Sequence, residues 1–384
     1  MTIRHTLSLY ALSILTGIGT SACNSKANVQ DDLEGVPEVA AVQMPLTGNV
    51  ASEGTATDDD AIDAATMAAD ELDQASVPAI TDATDLAKLR GAVKELNQSV
   101  RDFLGNVAAL VRNNDATYEA GSLRMWGPVT RGTTEYRFFL RHVASHRWGW
   151  RLDARLADSA ATFSRVAAGE ITVGARPRRG AGVMGFDLDA LSAVDPTVVA
   201  QGQLLAGFRH GELGTSVAYA MRDFTRDPAV RPGVDALLRA VHLKDGFNRV
   251  RMAFRGNVED TATAAEELVL ARVRHQRGVG GRSDMIVLEG DVPTGTAMVV
   301  SQCWNKELQS GYRIVRSCPL DGLGGDTCTV TATSGDLNAC PALLKTPELP
   351  PTDPSAPMTD DSDPNGDLAA PIEIPTVAGD ATNG

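Results

Sequence analysis

The chain has 384 residues, of which 43% are hydrophobic and 22% are charged, and its formal net charge is -14. This length allows one or two domains with a buried core. The acidity argues against a general nucleic-acid-binding protein, and a mean hydropathy of -0.11 argues against a chain that crosses a membrane several times.

The N-terminal apolar run predicts a secretory signal peptide over residues 1–22. Arg4 and His5 precede an apolar stretch from Leu7 to Ile18, and small residues follow it. The stretch is too short for a spanning helix, and small residues after an apolar run are typical of a cleavage site. The pattern therefore predicts a protein of the cell envelope.

Residues Thr20-Ser21-Ala22-Cys23 resemble the cleavage box of bacterial lipoproteins, in which the cysteine becomes the lipidated first residue. Thr20 departs from the bulky aliphatic residue usual there, so ordinary signal-peptidase cleavage after Ala22 is the alternative. Five cysteines leave one odd, and the other four cluster near the end of the chain. The resemblance implies lipid attachment at Cys23, with the protein anchored in the envelope and facing the periplasm or the cell surface.

Two acidic arms flank a nearly neutral core. Residues 24–80 contain twelve Asp or Glu against Lys26, and residues 341–384 contain eight against Lys345. The core, residues 81–340, contains 32 basic and 29 acidic residues. The arms have few aromatic residues and bury too little apolar area to fold. We therefore predict a lipid-anchored, acidic, disordered linker at 23–80, a folded domain at 81–340 and a Pro- and Asp-rich disordered tail at 341–384.

The folded domain is predicted to begin with one long amphipathic helix. Apolar residues recur with 3-4 spacing, and they are Leu86, Leu89, Val93, Leu96, Val100, Phe103, Val107 and Leu110. A narrow stripe of this kind suits a dimeric coiled coil. Leu104 and Val111 widen the stripe, which favours a helix that packs on its own domain. We expect a monomer rather than a coiled-coil dimer.

From Ser122 onward the hydrophobic period changes to two residues. Tyr136 and Phe138 alternate with Arg137, and similar stretches with Arg at every second position recur up to residue 274. One apolar and one charged face indicates antiparallel strands. We predict a mainly β fold, in which ten to thirteen strands form a large antiparallel meander, an open or half barrel, with a short helix from Asp187 to Val194.

Several of these strands place arginines side by side on one face. The simpler interpretation is a solvated face on which arginine stems cover the sheet and neighbouring strands supply Asp and Glu. The alternative is a binding surface for an anionic polysaccharide, a lipid headgroup or the acidic arms of the protein itself.

The cysteines of the folded part predict two disulfides in an exported protein. A two-residue turn at Ser310-Gly311 would place Cys303 opposite Cys318, and Cys328 and Cys340 would then pair by elimination. Four cysteines allow three connectivities, so the others stay open. A zinc site is the alternative, although the sequence has no C-x-x-C pair.

Motifs that would carry chemistry are mostly missing. Residues 180–185 match G-x-G-x-x-G, but Arg176-Pro177-Arg178-Arg179 precede them instead of a buried strand, which favours a turn between strands. The sequence contains neither G-x-S-x-G nor H-E-x-x-H. We therefore expect no metal, no cofactor and no enzymatic activity, with a periplasmic hydrolase that uses convergent carboxylates as a weaker alternative.

A long helix followed by an antiparallel meander, in an exported lipoprotein, resembles the open-barrel carriers and receptors of the Lol type in architecture. The resemblance implies an apolar pocket for an amphiphilic ligand, lined by Tyr136, Phe138, Trp148 and Trp150. These residues would otherwise fill a core. The leading hypothesis is a membrane-anchored, non-enzymatic binding or structural module, and the runner-up is recognition of anionic polymer or lipid headgroups through the arginines.

Overall fold

The computed structural model describes residues 107–352, apart from 109, 113, 158, 174–179, 212–213, 226–227, 229–232, 244–245, 257–264 and 324–326. The signal peptide, Cys23, the acidic linker and the last 32 residues lie outside the described residues, and so do the predictions made for them. No helix in the described part is both long enough and apolar enough to cross a membrane.

In the described part of the chain, fifteen antiparallel strands form one sheet in which every strand pairs with its neighbours in sequence. The prediction of a mainly β antiparallel meander is confirmed, with more strands than expected. The sheet is open, because β1 and β15 each pair with a single neighbouring strand in the described part. The strands are β1 Tyr118–Ala120, β2 Leu123–Arg131, β3 Thr134–Ala144, β4 Arg147–Leu156, β5 Ser164–Val173, β6 Gly180–Asp187, β7 Gln201–His210, β8 Gly214–Thr225, β9 Val234–Leu243, β10 Phe247–Gly256, β11 Glu267–Gln276, β12 Gly280–Glu289, β13 Thr296–Asn305, β14 Ser310–Pro319 and β15 Thr329–Gly335.

The alternation seen in the sequence gives the sheet two distinct faces. On β3, Tyr136, Phe138 and Leu140 are buried, whereas Arg137 and Arg141 lie on the opposite face. We call the first the inner face, because its side chains from β2 to β11 join the largest apolar cluster. The opposite, outer face carries the arginine rows. The strand predictions based on period two are therefore confirmed.

The long N-terminal helix is not shown by the structure. Residues 107–108 and 110–112 are helical, and Val107, Leu110 and Val111 are buried in the inner cluster. Most of the predicted helix, including Leu86–Phe103, lies outside the described residues. The predicted short helix is confirmed as α1, Leu188–Ser192. The Asp187 carboxylate caps its N-terminus by accepting a hydrogen bond from the Ala190 amide at 2.9 Å.

The glycine-rich motif at residues 180–185 is a strand rather than the predicted turn. It forms β6, which pairs with β5 and β7. Glycine is needed because aromatic rings from neighbouring strands cover the backbone. A Cβ atom on Gly182 would lie 2.5 Å from the Phe208 ring, and one on Gly169 of β5 would lie 2.7 Å from the Trp150 ring. The motif therefore serves sheet packing.

Among the described residues, one 3-10 helix, Leu320–Gly322, lies between β14 and β15, and two more, Leu337–Ala339 and Ala342–Leu344, follow β15. Residues 336–350, which we call the crossing segment, include the second and third of these and run across the outer face of the C-terminal strands. Leu344 is 1% exposed. The folded part thus extends about ten residues beyond the predicted boundary at 340, because apolar and disulfide contacts hold a stretch whose composition predicts disorder.

Candidate functional site

Two rows of arginines cross the outer face of strands β9 to β12. The strand register places Arg239, Arg251 and Arg272 side by side on β9, β10 and β11. The next row contains Arg249, Arg274 and Arg282 on β10, β11 and β12. Neighbouring strands lie about 4.8 Å apart, so each row presents closely spaced guanidinium groups. We call these six residues the arginine face.

Two acidic residues among those described contact the arginine face. Asp284 lies beside Arg272 in the strand register, and Glu348 reaches the face from the crossing segment. Both acids contact the β11–β12 end of the two rows. Arg239, Arg249 and Arg251 are partly exposed, whereas Arg282 is 1% exposed. The β9–β10 end of the face is thus the end that reaches solvent.

At the other end, Asp284 organises a buried charge network. Both carboxylate oxygens accept from Arg282 Nε at 2.9 Å, and Oδ1 also accepts from the Ser301 hydroxyl at 2.7 Å. Arg274 Nη2 lies 3.8 Å from the same carboxylate. Burial lowers the pKa of Arg274, and the Glu348 and Asp284 carboxylates oppose that effect. The network fixes cationic side chains beneath the crossing segment.

The crossing segment binds this network through both backbone and side chain. Arg282 Nη1 donates to the carbonyl oxygens of Leu344, at 3.1 Å, and Lys345, at 2.9 Å. The Glu348 amide donates to Asp284 at 3.1 Å, and its carboxylate pairs with Arg272 at 3.0 Å and with Arg274. An acidic side chain of the C-terminal region is therefore already bound to the arginine face.

The disulfide connectivity differs from the predicted one. Cys303 pairs with Cys340, and Cys318 pairs with Cys328. The predicted register was wrong because the β13–β14 turn lies at residues 306–308, where Asn305 Oδ1 accepts from the Glu307 and Gln309 amides at 3.0 Å. Cys303 consequently faces Tyr312 rather than Cys318.

The Cys303–Cys340 bond has a direct structural effect, because it fastens the start of the crossing segment to β13. Its two Cα atoms are 5.6 Å apart, and both residues are buried. All four cysteines of the folded part are therefore paired in disulfides. This pairing leaves no free thiol among them to bind zinc, which was the alternative interpretation.

A second group of arginines, on β3 and β4, has a different environment. Arg137 and Arg151 each lie 3.4 Å from Asp153, and Arg155 pairs with Glu135 at 2.7 Å. Their guanidinium groups also lie over the rings of Phe139 and Phe163. Burial raises the pKa of Asp153, although Arg151 and Arg137 oppose the shift. Interleaved acids and rings fit the interpretation of a structural face here.

The predicted ligand-facing aromatic residues lie together on the inner face. Tyr136, Phe138, Trp148 and Trp150 are between 1% and 9% exposed and belong to the largest cluster. The Phe138 and Trp150 ring centroids are 6.3 Å apart, and the Tyr136 hydroxyl donates to Asp195 at 2.5 Å. Burial, followed by Asp195, raises the pKa of Tyr136. These contacts favour a packing role, and contact with a ligand stays a prediction.

Sequence reasoning missed Arg282, Asp284 and Glu348. Arg282 and Asp284 interrupt an otherwise apolar outer-face pattern on β12, where Ile286 and Leu288 follow at the same two-residue spacing. The opposite charges of Arg282 and Asp284, two residues apart on an otherwise apolar strand face, were the signal in the sequence that could have indicated a buried ion pair. Glu348 gave no signal, because it lies in a stretch whose composition predicted disorder.

The role of the arginine rows on β9–β12 is inferred from the geometry of this structure. In comparisons with known proteins, no family model, no curated protein and no solved structure matches the chain. The arginine face and the crossing segment are therefore the features on which the function proposed below is based.

Proposed function

We propose that this chain is a lipid-anchored protein of the cell envelope that binds an anionic polysaccharide on its arginine face and has no enzymatic role. The observation that supports the proposal is the register that aligns Arg239, Arg251 and Arg272, and beside them Arg249, Arg274 and Arg282. Guanidinium groups bind carboxylate, sulfate and phosphate oxygens through paired donors, so this surface suits a polymer that carries such groups.

The spacing of the rows favours a multivalent ligand. A single solvent-exposed ion pair contributes about 0.2–1 kcal/mol, which is too little for stable binding. A chain that bears many anions would contact several arginines at once, since neighbouring guanidinium stems start about 4.8 Å apart across the strands. On β3 and β4, by comparison, Arg137 pairs with Asp153 and Arg155 pairs with Glu135.

The anchor belongs to the same proposal. Lipid at Cys23 and an acidic linker at 24–80 would hold the sheet near an envelope surface while like charges keep the linker away from an anionic polymer. An amphiphilic ligand on the inner face remains a prediction that its packed aromatic side chains do not favour. A hydrolase likewise remains a prediction. The buried carboxylates Asp153, Asp195 and Asp284 each contact arginine, tyrosine, threonine or serine partners.

The test compares two triple variants of the full chain with equal loss of charge. One carries Arg239→Gln, Arg249→Gln and Arg251→Gln. The control carries Arg141→Gln, Arg147→Gln and Arg277→Gln, three exposed arginines outside the arginine face. The probes are alginate, which is a carboxylated polysaccharide, uncharged dextran, and vesicles that contain phosphatidylglycerol. Binding is measured by titration calorimetry at several salt concentrations.

We expect the parent to bind alginate with an affinity that falls steeply with salt. Loss of three contacts at about 0.5 kcal/mol each predicts roughly tenfold weaker binding by the face variant. The affinity of the control variant for alginate should fall by less than about threefold. Equal losses in both variants, equal binding of dextran, or binding only to vesicles that contain phosphatidylglycerol would each refute the proposal.

A further inference from the structure

We propose that the inner face of strands β12–β14 binds a small molecule that carries both a carboxylate and hydroxyl groups, as a sugar acid does. The site is built from Ser283 on β12, Gln302 and Trp304 on β13, and Arg313 on β14. It lies on the opposite side of the sheet from the arginine face, so it does not rest on the function proposed above.

The strand register brings these side chains together. Ser283 lies opposite Gln302, and Gln302 lies opposite Arg313, so the three residues form one row across the inner face. Trp304 follows two residues after Gln302 on the same face and belongs to the inner apolar cluster. Its ring lies against Gly281 of β12, where a Cβ atom would overlap it. Four side chains that form hydrogen bonds therefore lie close together on three adjacent strands.

Three of these side chains are buried and have an unpaired polar atom. Ser283, Gln302 and Trp304 are each at most 1% exposed. The Ser283 hydroxyl, Gln302 Oε1 and Trp304 Nε1 have no hydrogen-bond partner among the described residues. The other end of the Gln302 amide is paired, because Nε2 donates to the Ser310 hydroxyl at 3.0 Å. Burial of an unpaired polar atom opposes folding, so three such atoms on neighbouring residues point to a bound molecule that pairs with them.

Arg313 adds a positive charge to the same row. It is partly exposed, and it lies opposite Ser334 on the edge strand β15. No acidic side chain within the described part of the chain forms an ion pair with it. The row therefore leads from the edge of the sheet, which solvent reaches, to Gln302 and Ser283 in the interior.

The four groups together indicate the chemistry of the ligand. A guanidinium group binds a carboxylate through two parallel N–H donors. The Ser283 hydroxyl and Trp304 Nε1 donate to hydroxyl oxygens, and Gln302 Oε1 accepts from a hydroxyl group. A single guanidinium group balances one negative charge, which favours a carboxylate over a phosphate with a charge near two. Arg313 and Ser283 are two strands apart, about 10 Å, so the long arginine side chain and one sugar ring bridge the distance.

The first experiment measures binding of D-glucuronate to the full chain by titration calorimetry. The comparison ligands are D-glucose, which lacks the carboxylate, acetate, which lacks the hydroxyl groups, and glucose 6-phosphate. We expect a Kd of about 1 mM for glucuronate and at least roughly tenfold weaker binding of glucose and acetate. Absence of glucuronate binding in the millimolar range would mean that water alone pairs with the buried atoms, and it would refute the proposal. Tighter binding of glucose 6-phosphate would refute the assignment of a carboxylate.

Methyl β-D-glucuronide distinguishes two sources of such a ligand. Its anomeric oxygen is blocked, as in the terminal residue of a glycan. Affinity equal to that of glucuronate would support the site with a glycan terminus as its ligand. A loss of at least roughly tenfold would support the site with a free sugar acid as its ligand.

The second experiment assigns binding to particular residues. Arg313→Gln and Gln302→Leu are compared with Arg316→Gln. Arg316 is a matched control, because it is also partly exposed and lies on the same strand, but opposite Val299 on the outer face. We expect the two site variants to bind glucuronate at least roughly tenfold more weakly than the parent, and the control to change by less than about twofold. Equal losses in Arg313→Gln and Arg316→Gln would refute the proposal.

Urea unfolding without ligand separates loss of the site from loss of the fold. Leucine removes the unpaired amide oxygen, so we expect the urea midpoint of Gln302→Leu to stay at or above that of the parent. If this variant does not fold, Arg313→Gln decides the outcome, because its side chain is partly exposed and its removal leaves the buried residues unchanged.

The outcome is distinguishable from that of the proposed function. The variant with Arg239→Gln, Arg249→Gln and Arg251→Gln should bind glucuronate as tightly as the parent does. Glucuronate binding in a protein that does not bind alginate would support the inner site and refute the polysaccharide function. Salt-dependent alginate binding without glucuronate binding would support the function and refute the inner site.

Discussion

The substitution Asp284→Asn tests whether the buried charge network holds the crossing segment on the sheet. Asp284 is 1% exposed and accepts hydrogen bonds from Arg282 Nε, the Ser301 hydroxyl and the Glu348 amide. The amide side chain keeps the shape of the carboxylate but removes its charge. Arg282, which is also 1% exposed, then loses the acidic partner that its Nε contacts.

The expected loss follows from the burial of both partners. Removal of one member of a buried ion pair costs about 3–5 kcal/mol, because the remaining charge stays in a poorly solvated site. Because asparagine still accepts one hydrogen bond, we expect the free energy of unfolding to fall by about 3 kcal/mol, at the lower end of this range. The exposed pair Arg255–Glu289 has the short distance of 2.6 Å, but its side chains are 46% and 53% exposed. Glu289→Gln should therefore cost less than about 1 kcal/mol.

The assay is urea-induced unfolding of the parent, Asp284→Asn and Glu289→Gln at neutral pH with both disulfides intact. Hydrogen exchange of residues 340–350 provides a second measurement, since loss of the Asp284–Glu348 contact should speed exchange there. If Asp284→Asn and Glu289→Gln lose the same free energy of unfolding, below about 1 kcal/mol, the reasoning about burial is wrong.

Three further outcomes are expected. Removal of the Cys303–Cys340 bond by paired serine substitutions opens a loop with a sequence separation of 37 residues. Chain entropy predicts a loss of about 4 kcal/mol, and an unchanged urea midpoint would contradict it. Because burial raises the pKa of Asp153 above 3.8, the folded state keeps this proton to higher pH than the unfolded chain. The difference in free energy of unfolding between Asp153→Asn and the parent should therefore shift in favour of the variant as the pH rises from about 3.5 to 6. A shift in favour of the parent, measured by urea titrations over this pH range, would contradict the prediction. Cys23→Ala should release the protein from membranes, whereas retention after a carbonate wash would exclude the lipid anchor.

Much of the fold could be predicted because a two-residue period is a local signal. The sequence around Tyr136 and Trp150 alternates apolar and charged residues, so strands and faces follow from the pleat. β6 was missed because Gly182 and Gly185 carry no side chain that reveals a face. Its pairing depends on the Phe208 ring of another strand, which no local pattern contains.

The candidate site was predictable only in part. Arginines at alternate positions on β10 and β11 were visible in the sequence, but which arginines form rows depends on the register, and their partners include acids from distant segments. Asp153 on β4 pairs with Arg137 of the adjacent strand, whereas Glu348 reaches Arg272 from near the end of the described chain. The predicted disulfide pairing was wrong for a related reason. The Asn305 side chain moves the turn, and this one change shifts every residue that Cys303 could face.

The strict succession of strands has a consequence for how this chain tolerates change. Within the described residues each strand bonds only to its predecessor and successor, so a whole hairpin could be lost or duplicated and the remaining partners would keep their alignment. The sheet can therefore vary in width during evolution by units of two strands, much as a repeat protein varies in length. Such changes would be restricted at the C-terminal end, where the two sulfur bridges and the Asp284 contacts join segments far apart in the chain.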